Sequence, residues 1–260
     1  MTDWTDVRSW TGKGLRREAF YVPSGPAEVF VSLWMPAERR AAFGLLVCPA
    51  WGFEGTTSCD LQTGLARAAA ERGGVGVVFH YPGHDDSTGD VEASTVGVMT
   101  RAALDCARSV RDRFDGDWIV AGIRVGASVA ALVSAELRPS RMLFVNEALD
   151  PAAYFEALLR RSRRASLAYP GSDGVAFGVP VSEAVVRSAD ERAAGVRAAI
   201  ANCRVTSIRY SGDDPQPASD DLGIESITVG GKGSWLARST HREVVAAAAR
   251  WLDGATVSHS

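Results

Sequence analysis

The sequence is poor in the residues that usually announce a staple, a leader or a span. Its 260 residues include only four cysteines, four histidines and two lysines. Cys48, Cys59, Cys106 and Cys203 lie far apart and form no C-x-x-C pair, so neither a disulfide framework nor a zinc site is expected. Buried structural thiols are the default reading, and neither a metal nor a cofactor is expected. The apolar runs are of strand length, well below the roughly 20 residues of a membrane helix, so no membrane span is expected. The opening residues Met1-Thr2-Asp3-Trp4-Thr5-Asp6 show no basic region followed by an apolar one, and the expectation is a cytoplasmic protein without a leader. A formal charge of −3 argues against a nucleic-acid groove or a polybasic membrane surface. Lys13 and Lys232 are the only lysines, so arginine supplies nearly all the positive charge. Such a bias reflects coding composition, and arginine number by itself implies no function.

What is present is an ordinary soluble composition, 46% hydrophobic and 23% charged. A chain of this length buries a core without disulfides or metal, and one domain over 1–260 is expected. Arg17 to Val22 and Glu28 to Met35 alternate as antiparallel strands around the turn Pro23-Ser24-Gly25-Pro26. Phe43 to Cys48 and Gly76 to Phe79 are instead continuous apolar runs, as in parallel strands buried on both faces. Cys59 to Glu71 between them has helical spacing and stops at Arg72-Gly73-Gly74. The alternation goes on with a helix over Val96 to Arg113, a strand over Trp118 to Ala121 and a helix over Val125 to Leu137. A strand over Met142 to Val145 and a helix over Ala152 to Arg163 follow. Strands over Arg204 to Tyr210 and Ile224 to Val229 and a helix over His241 to Leu252 complete an α/β, doubly wound, mostly parallel sheet. Ligands bind such sheets outside the carboxyl ends of the strands. The loops to search are therefore 49–58, 81–90, 122–126, 146–150, 211–221 and 230–240.

Two antiparallel strands leading into βαβα units, with Gly122-Ile123-Arg124-Val125-Gly126 on a strand-to-helix turn, resemble the α/β-hydrolase fold. The stretch from Val78 to Asp90 is similar to that family's fourth-strand loop. The family places its nucleophilic Ser in the middle of G-x-S-x-G, on a tight turn that exposes the side chain. Here that position is Arg124, and a guanidinium is no nucleophile. Three segments resemble the exosortase A system-associated hydrolases, whose elbow reads G-L-R-L-G-A. They are Gly122 to Ala127, Pro49-Ala50-Trp51-Gly52-Phe53-Glu54, and Asp150 to Phe155 continuing to Arg160.

Arg124 carries three readings. At a helix N-terminus it would clamp a carboxylate or phosphate; it would pair with Glu54 on the neighbouring loop, since a buried Arg needs an acid; or it would act in catalysis. The resemblance places the acid at Asp213, with Asp214 second, after the strand ending at Tyr210. An ordinary Gly-Asp turn is the plain alternative. It places the histidine at His241, where Ser239 or Thr240 as N-cap with Glu243 gives a purely structural account. The family's oxyanion donors fall on the backbone N–H of Ala50 or Trp51 and of Val125. Cys48, Ser58, Cys59, Ser87 and Ser128 are possible substitute nucleophiles, each with a structural alternative, and His80 and His84 sit at the mouth.

A small lid is expected within 166–200, around Ser172 to Ala194 with a short helical stretch, leaving an open site walled by Trp51, Phe53 and Trp235. Two functions follow. One is acyl chemistry, an ester, thioester or amide hydrolase or an acyltransferase, with Asp213 and His241 activating water or another nucleophile. The other is a pseudo-hydrolase that binds an anionic small molecule or a partner protein.

Overall fold

Alternation in the N-terminal segments becomes an antiparallel meander. The computed structural model describes residues 8–165, 174–201, 203–210, 222, 224–229 and 237–256. Within it β1 (Arg8–Gly12), β2 (Leu15–Ser24) and β3 (Ala27–Pro36) pair antiparallel in sequence order. β1 goes beyond the expected strands; all its residues are exposed, which left it no apolar period to read. β3 then pairs antiparallel with β5 (Val75–Phe79), and from there the sheet is parallel.

The parallel part comprises β4 (Gly44–Cys48), β5, β6 (Trp118–Ile123), β7 (Arg141–Val145), β10 (Val205–Tyr210) and β11 (Glu225–Val229). Every residue of β4, β5 and β6 is buried, as continuous apolar runs require. Their side chains divide with period two. Leu45, Val47, Ile119, Ala121 and Ile123 pack under α2 (Cys59–Glu71) and α7 (Arg238–Thr256). Leu46, Cys48, Trp118 and Val120 face the layer of α3 (Val96–Ser109), α4 (Gly126–Leu137), α5 (Pro151–Ala165) and α6 (Glu183–Ile200).

The nine-stranded sheet has the order β1-β2-β3-β5-β4-β6-β7-β10-β11. From β4 the chain crosses by α2 to β5 on one side, then by α3 to β6 on the other. The topological switch point therefore lies at the carboxyl ends of β4 and β6, where Cys48 and Gly122 are register partners.

Several boundaries differ from the sequence expectation. α3 stops at Ser109 rather than Arg113, and a short 3₁₀ turn over Arg111–Arg113 lets Phe114 pack edge-on against Trp118 at 4.7 Å between ring centroids. Residues 52–57, read as loop, form a short helix α1 (Gly52–Thr57). α7 begins at Arg238, so Ser239 and Thr240 lie inside its first turn.

The segment 166–200, where a small lid is expected, is described from Gly174 onward. α6 is an 18-residue helix of the main helical layer, burying Val185, Ala189, Val196 and Ile200. What covers the mouth among the described residues is a small hairpin, β8 (Val175–Ala176) with β9 (Val179–Pro180). Phe177 and Gly178 turn it with φ of 50° and 84°, the left-handed pair that a two-residue hairpin turn favours.

Candidate functional site

The turn between β6 and α4 is built by its two glycines. A Cβ on Gly122 would stand 2.4 Å from the Ala127 Cα, and one on Gly126 would stand 2.3 Å from the Cys48 carbonyl oxygen. Side chains are thus excluded at both glycines, and Arg124 midway between them adopts a left-handed conformation, with φ 55°. For a non-glycine residue that conformation costs on the order of 1–2 kcal/mol. It is tied down: the Arg124 N–H donates to the Val145 carbonyl at 3.0 Å, and its own carbonyl accepts from Ala127 and Ala148, each at 3.0 Å. The turn aims the Arg124 side chain into the crevice at the switch point.

Its guanidinium meets a carboxylate there. Arg124 Nε lies 3.3 Å from Glu54 Oε2, and Nη1 donates to the Asn146 carbonyl at 3.1 Å. Both side chains are more than nine-tenths buried. Tyr154 donates its hydroxyl to the same Oε2 at 2.8 Å, and its ring centroid lies 5.8 Å from the Arg124 guanidinium carbon. Glu54 Oε1 stands 3.7 Å from Nη1 of the exposed Arg161.

Local sequence explains how these partners arrive. Asp150 accepts from the Ala153 N–H through its side chain and Pro151 opens α5, a regular helix start that presents Tyr154 one turn in. Glu54 stands in the first turn of α1, where a negative charge is favourable. Burial holds the Tyr154 phenol well above its ordinary range, and the Glu54 carboxylate adds to that push.

Ala50, Trp51 and Val125 flank this pair. Trp51 and Val125 are the N-caps of α1 and α4, and neither helix start has a side-chain cap. Trp51 is not part of an open wall. It is fully buried, edge-on to Phe155 and His84 at 5.4 Å each. Phe53 does stay exposed, stacked on Phe177 of the hairpin at 5.7 Å. Among the described residues the crevice holds the chain's own side chains, with Arg124, Glu54 and Tyr154 paired to one another and Trp51 packed on Phe155 and His84. Asp213, Asp214 and Trp235 lie outside the described residues.

His241 is buried in the first turn of α7 and lines a groove of about 530 Å³ between α2 and α7, with Cys59, Asp60, Arg67 and Arg238 among its walls. The residues lining that groove do not include Arg124, Glu54 or Tyr154.

The substitute nucleophiles are mostly engaged. Ser128 donates to the Ala148 carbonyl at 2.6 Å, Ser87 to the His80 carbonyl at 2.8 Å, and Ser58 to the Gly55 carbonyl at 3.1 Å. Cys48 is fully buried, and burial pushes its thiol far above the usual range. Cys59 is exposed. His80 accepts from the Asp86 N–H at 3.2 Å, His84 bonds the Pro82 carbonyl through Nδ1 at 3.0 Å, and burial lowers the pKa of both.

Glu147 was missed by the sequence reading. It lies in the loop after β7, buried, and accepts from Ser207 Oγ and, at 3.1 Å, from Arg209 Nε. Its signal was a carboxylate in a loop at a strand's carboxyl end, but nothing local names partners some sixty residues away. Among the described residues no three His, Cys, Asp or Glu side chains converge as a metal site, and no helix is long and apolar enough to cross a membrane.

No protein-family model and no curated protein matches the chain. Solved structures do. Est1E from Butyrivibrio proteoclasticus, solved with ferulic acid bound, superposes with a TM-score of 0.69 at 16% identity, over 90% of this chain and 98% of its own. The chain has the α/β-hydrolase fold. XC6422 from Xanthomonas campestris, described as a serine hydrolase without a lid, gives 0.60 at 18% identity over 90% and 93%. An α-β serine hydrolase homologue from Coxiella burnetii gives 0.64 at 16% identity over 90% and 96%. Arg124 stands at the apex of the β6–α4 turn.

Proposed function

We propose that this α/β-hydrolase-fold chain is a non-catalytic relative of the hydrolases, a pseudo-hydrolase that binds a small anionic molecule at its remodelled mouth. One observation carries the reading: the elbow side chain is a guanidinium held in a buried ion pair with Glu54. A guanidinium has no nucleophilic lone pair at neutral pH, and removing it from Glu54 would strand a buried charge. Without the elbow nucleophile, what oxyanion donors and binding retain is on the order of 10³–10⁴ over water. A cytoplasmic location and a small-molecule ligand rather than a nucleic acid go with this reading, given the formal charge of −3.

A second reading keeps the acyl chemistry that the neighbours' names suggest, ester, thioester or amide hydrolysis or acyl transfer. Asp213 and His241 would then activate water or a nucleophile away from the elbow. The observation in its favour is that His241 shares the α2/α7 groove with the exposed thiol of Cys59. Incubation with a serine-directed fluorophosphonate and a cysteine-directed acylating probe, read by intact mass, separates the two. The binder is expected to stay unlabelled by the fluorophosphonate and to show on cysteine only the slow reaction of an ordinary thiol. Rapid stoichiometric acylation that vanishes on unfolding overturns it in favour of the enzyme.

A further inference from the structure

We propose that Arg161 is the ligand-binding arginine of the mouth, and that with Phe53 and Phe177 it takes an aromatic carboxylate. The proposal rests on the reading of the chain as a binder of small anions and moves the recognising charge from the buried elbow to its rim. Three elements converge there. α1 brings Phe53 and Glu54, α5 brings Arg161 and Ser162, and the β8–β9 hairpin brings Phe177. Ser162 Oγ donates to the Val175 carbonyl at 3.1 Å and accepts from the Phe177 N–H at 2.9 Å, which ties the hairpin down one residue from Arg161. Phe177 stacks on Phe53 with an interplanar angle of 28°, and Phe53 remains 43% exposed.

Arg124 and Arg161 share Glu54 unequally. Glu54 Oε2 takes both Tyr154 and Arg124, so the carboxylate is anchored inward. Its Oε1 is 3.7 Å from Arg161, too long for a hydrogen bond but near enough to orient the guanidinium over the edge of α1. Arg161 is 55% exposed, and Glu54 is the one acid against it among the described residues. Most of its planar fork is thus open to a ligand carboxylate, which such a fork takes bidentately. A ring attached to that carboxylate has the exposed side of Phe53 to lie on. A ligand bound this way completes Arg161 and leaves the buried pair intact.

The test titrates the full chain with benzoate, with benzamide as the uncharged isostere and with acetate as the ringless anion, followed by calorimetry and amide chemical shifts. Benzoate is expected to bind at least tenfold more tightly than either. Arg161→Gln and Phe53→Ala are each expected to weaken benzoate at least fivefold, with Arg161→Lys between Arg161→Gln and the parent. Arg160→Gln, whose side chain pairs with Glu156, is expected to leave binding unchanged. All four alter exposed side chains, and unchanged melting midpoints show that the fold is kept. Benzoate binding that is absent, no tighter than benzamide, or indifferent to Arg161→Gln overturns the proposal. In the last case the anion-binding reading survives and only this site falls, whereas rapid acylation by the probes above removes the reading beneath it.

Discussion

Arg124 and Glu54 are 70 residues apart in sequence and meet through Nε and Oε2 at 3.3 Å in the interior of the mouth. The contact joins the apex of the β6–α4 turn to the first turn of α1.

Removing one partner is expected to be worse than removing both. Glu54→Leu leaves the Arg124 charge buried without its carboxylate, and a loss of about 3–5 kcal/mol is expected. Glu54→Leu combined with Arg124→Met is expected to lose less than either single change. Urea denaturation of the three variants measures this, and a strictly additive double variant contradicts a coupled pair.

Placing a serine at position 124 is not expected to create an esterase. Arg124→Ser leaves Glu54 in the crevice without its main cation, so p-nitrophenyl acetate hydrolysis stays at background and stability falls. Arg124→Gly is expected to fall about 1 kcal/mol less far than Arg124→Ser, because glycine accepts a φ of 55° without strain. Equal stabilities for the two would show that the turn is relaxed.

Thiol reactivity is expected to divide by burial. Cys59 is exposed, whereas burial pushes the thiols of Cys48 and Cys106 far above the usual range. Iodoacetamide on the folded chain therefore alkylates Cys59 readily and Cys48 and Cys106 only after denaturant is added. Peptide mapping reads the order, and early modification of Cys48 contradicts its placement.

Acid is expected to destabilise the chain through two histidines. Burial lowers His80 and His84 below the ordinary histidine value, so the folded state keeps them neutral where the unfolded chain takes up protons. Their contribution is complete above about pH 6.5 and is lost as pH falls below it, by at most about 1.4 kcal/mol per pH unit for each. Urea midpoints between pH 7.5 and 5.5 test this, and His84→Gln is expected to flatten the slope. An unchanged slope in that variant removes His84 from the account.

Much of this was legible in order along the chain. The runs at Leu45 to Cys48 and Val77 to Phe79 could be read as doubly buried strands because such strands need no partner named to be apolar. The β6–α4 turn was readable from Gly122 and Gly126, whose missing side chains the close approach to α4 and β4 demands. Glu54 as the partner of Arg124 was readable from the cost of burying a guanidinium alone. Less local facts were not. β1 carries no apolar period, α1 is too short for periodicity, and the hairpin over the mouth has two-residue strands. The buried Glu147 could not be distinguished from a solvated loop carboxylate.

The sequence by itself determined the α/β alternation and the tight turn between Gly122 and Gly126 that carries Arg124, since these depend on side-chain type and short-range spacing. Only the tertiary structure decided what Arg124 does with its charge. Glu54, Asn146 and Tyr154 reach it from three segments, α1, the loop after β7 and α5, and the sheet order that makes β4 and β6 neighbours brings them together. The same folding buried Trp51, which the sequence reading put on the wall of an open site. Arg124, Glu54 and Tyr154 pair their polar atoms there because unpaired they would be costly in a low-dielectric crevice.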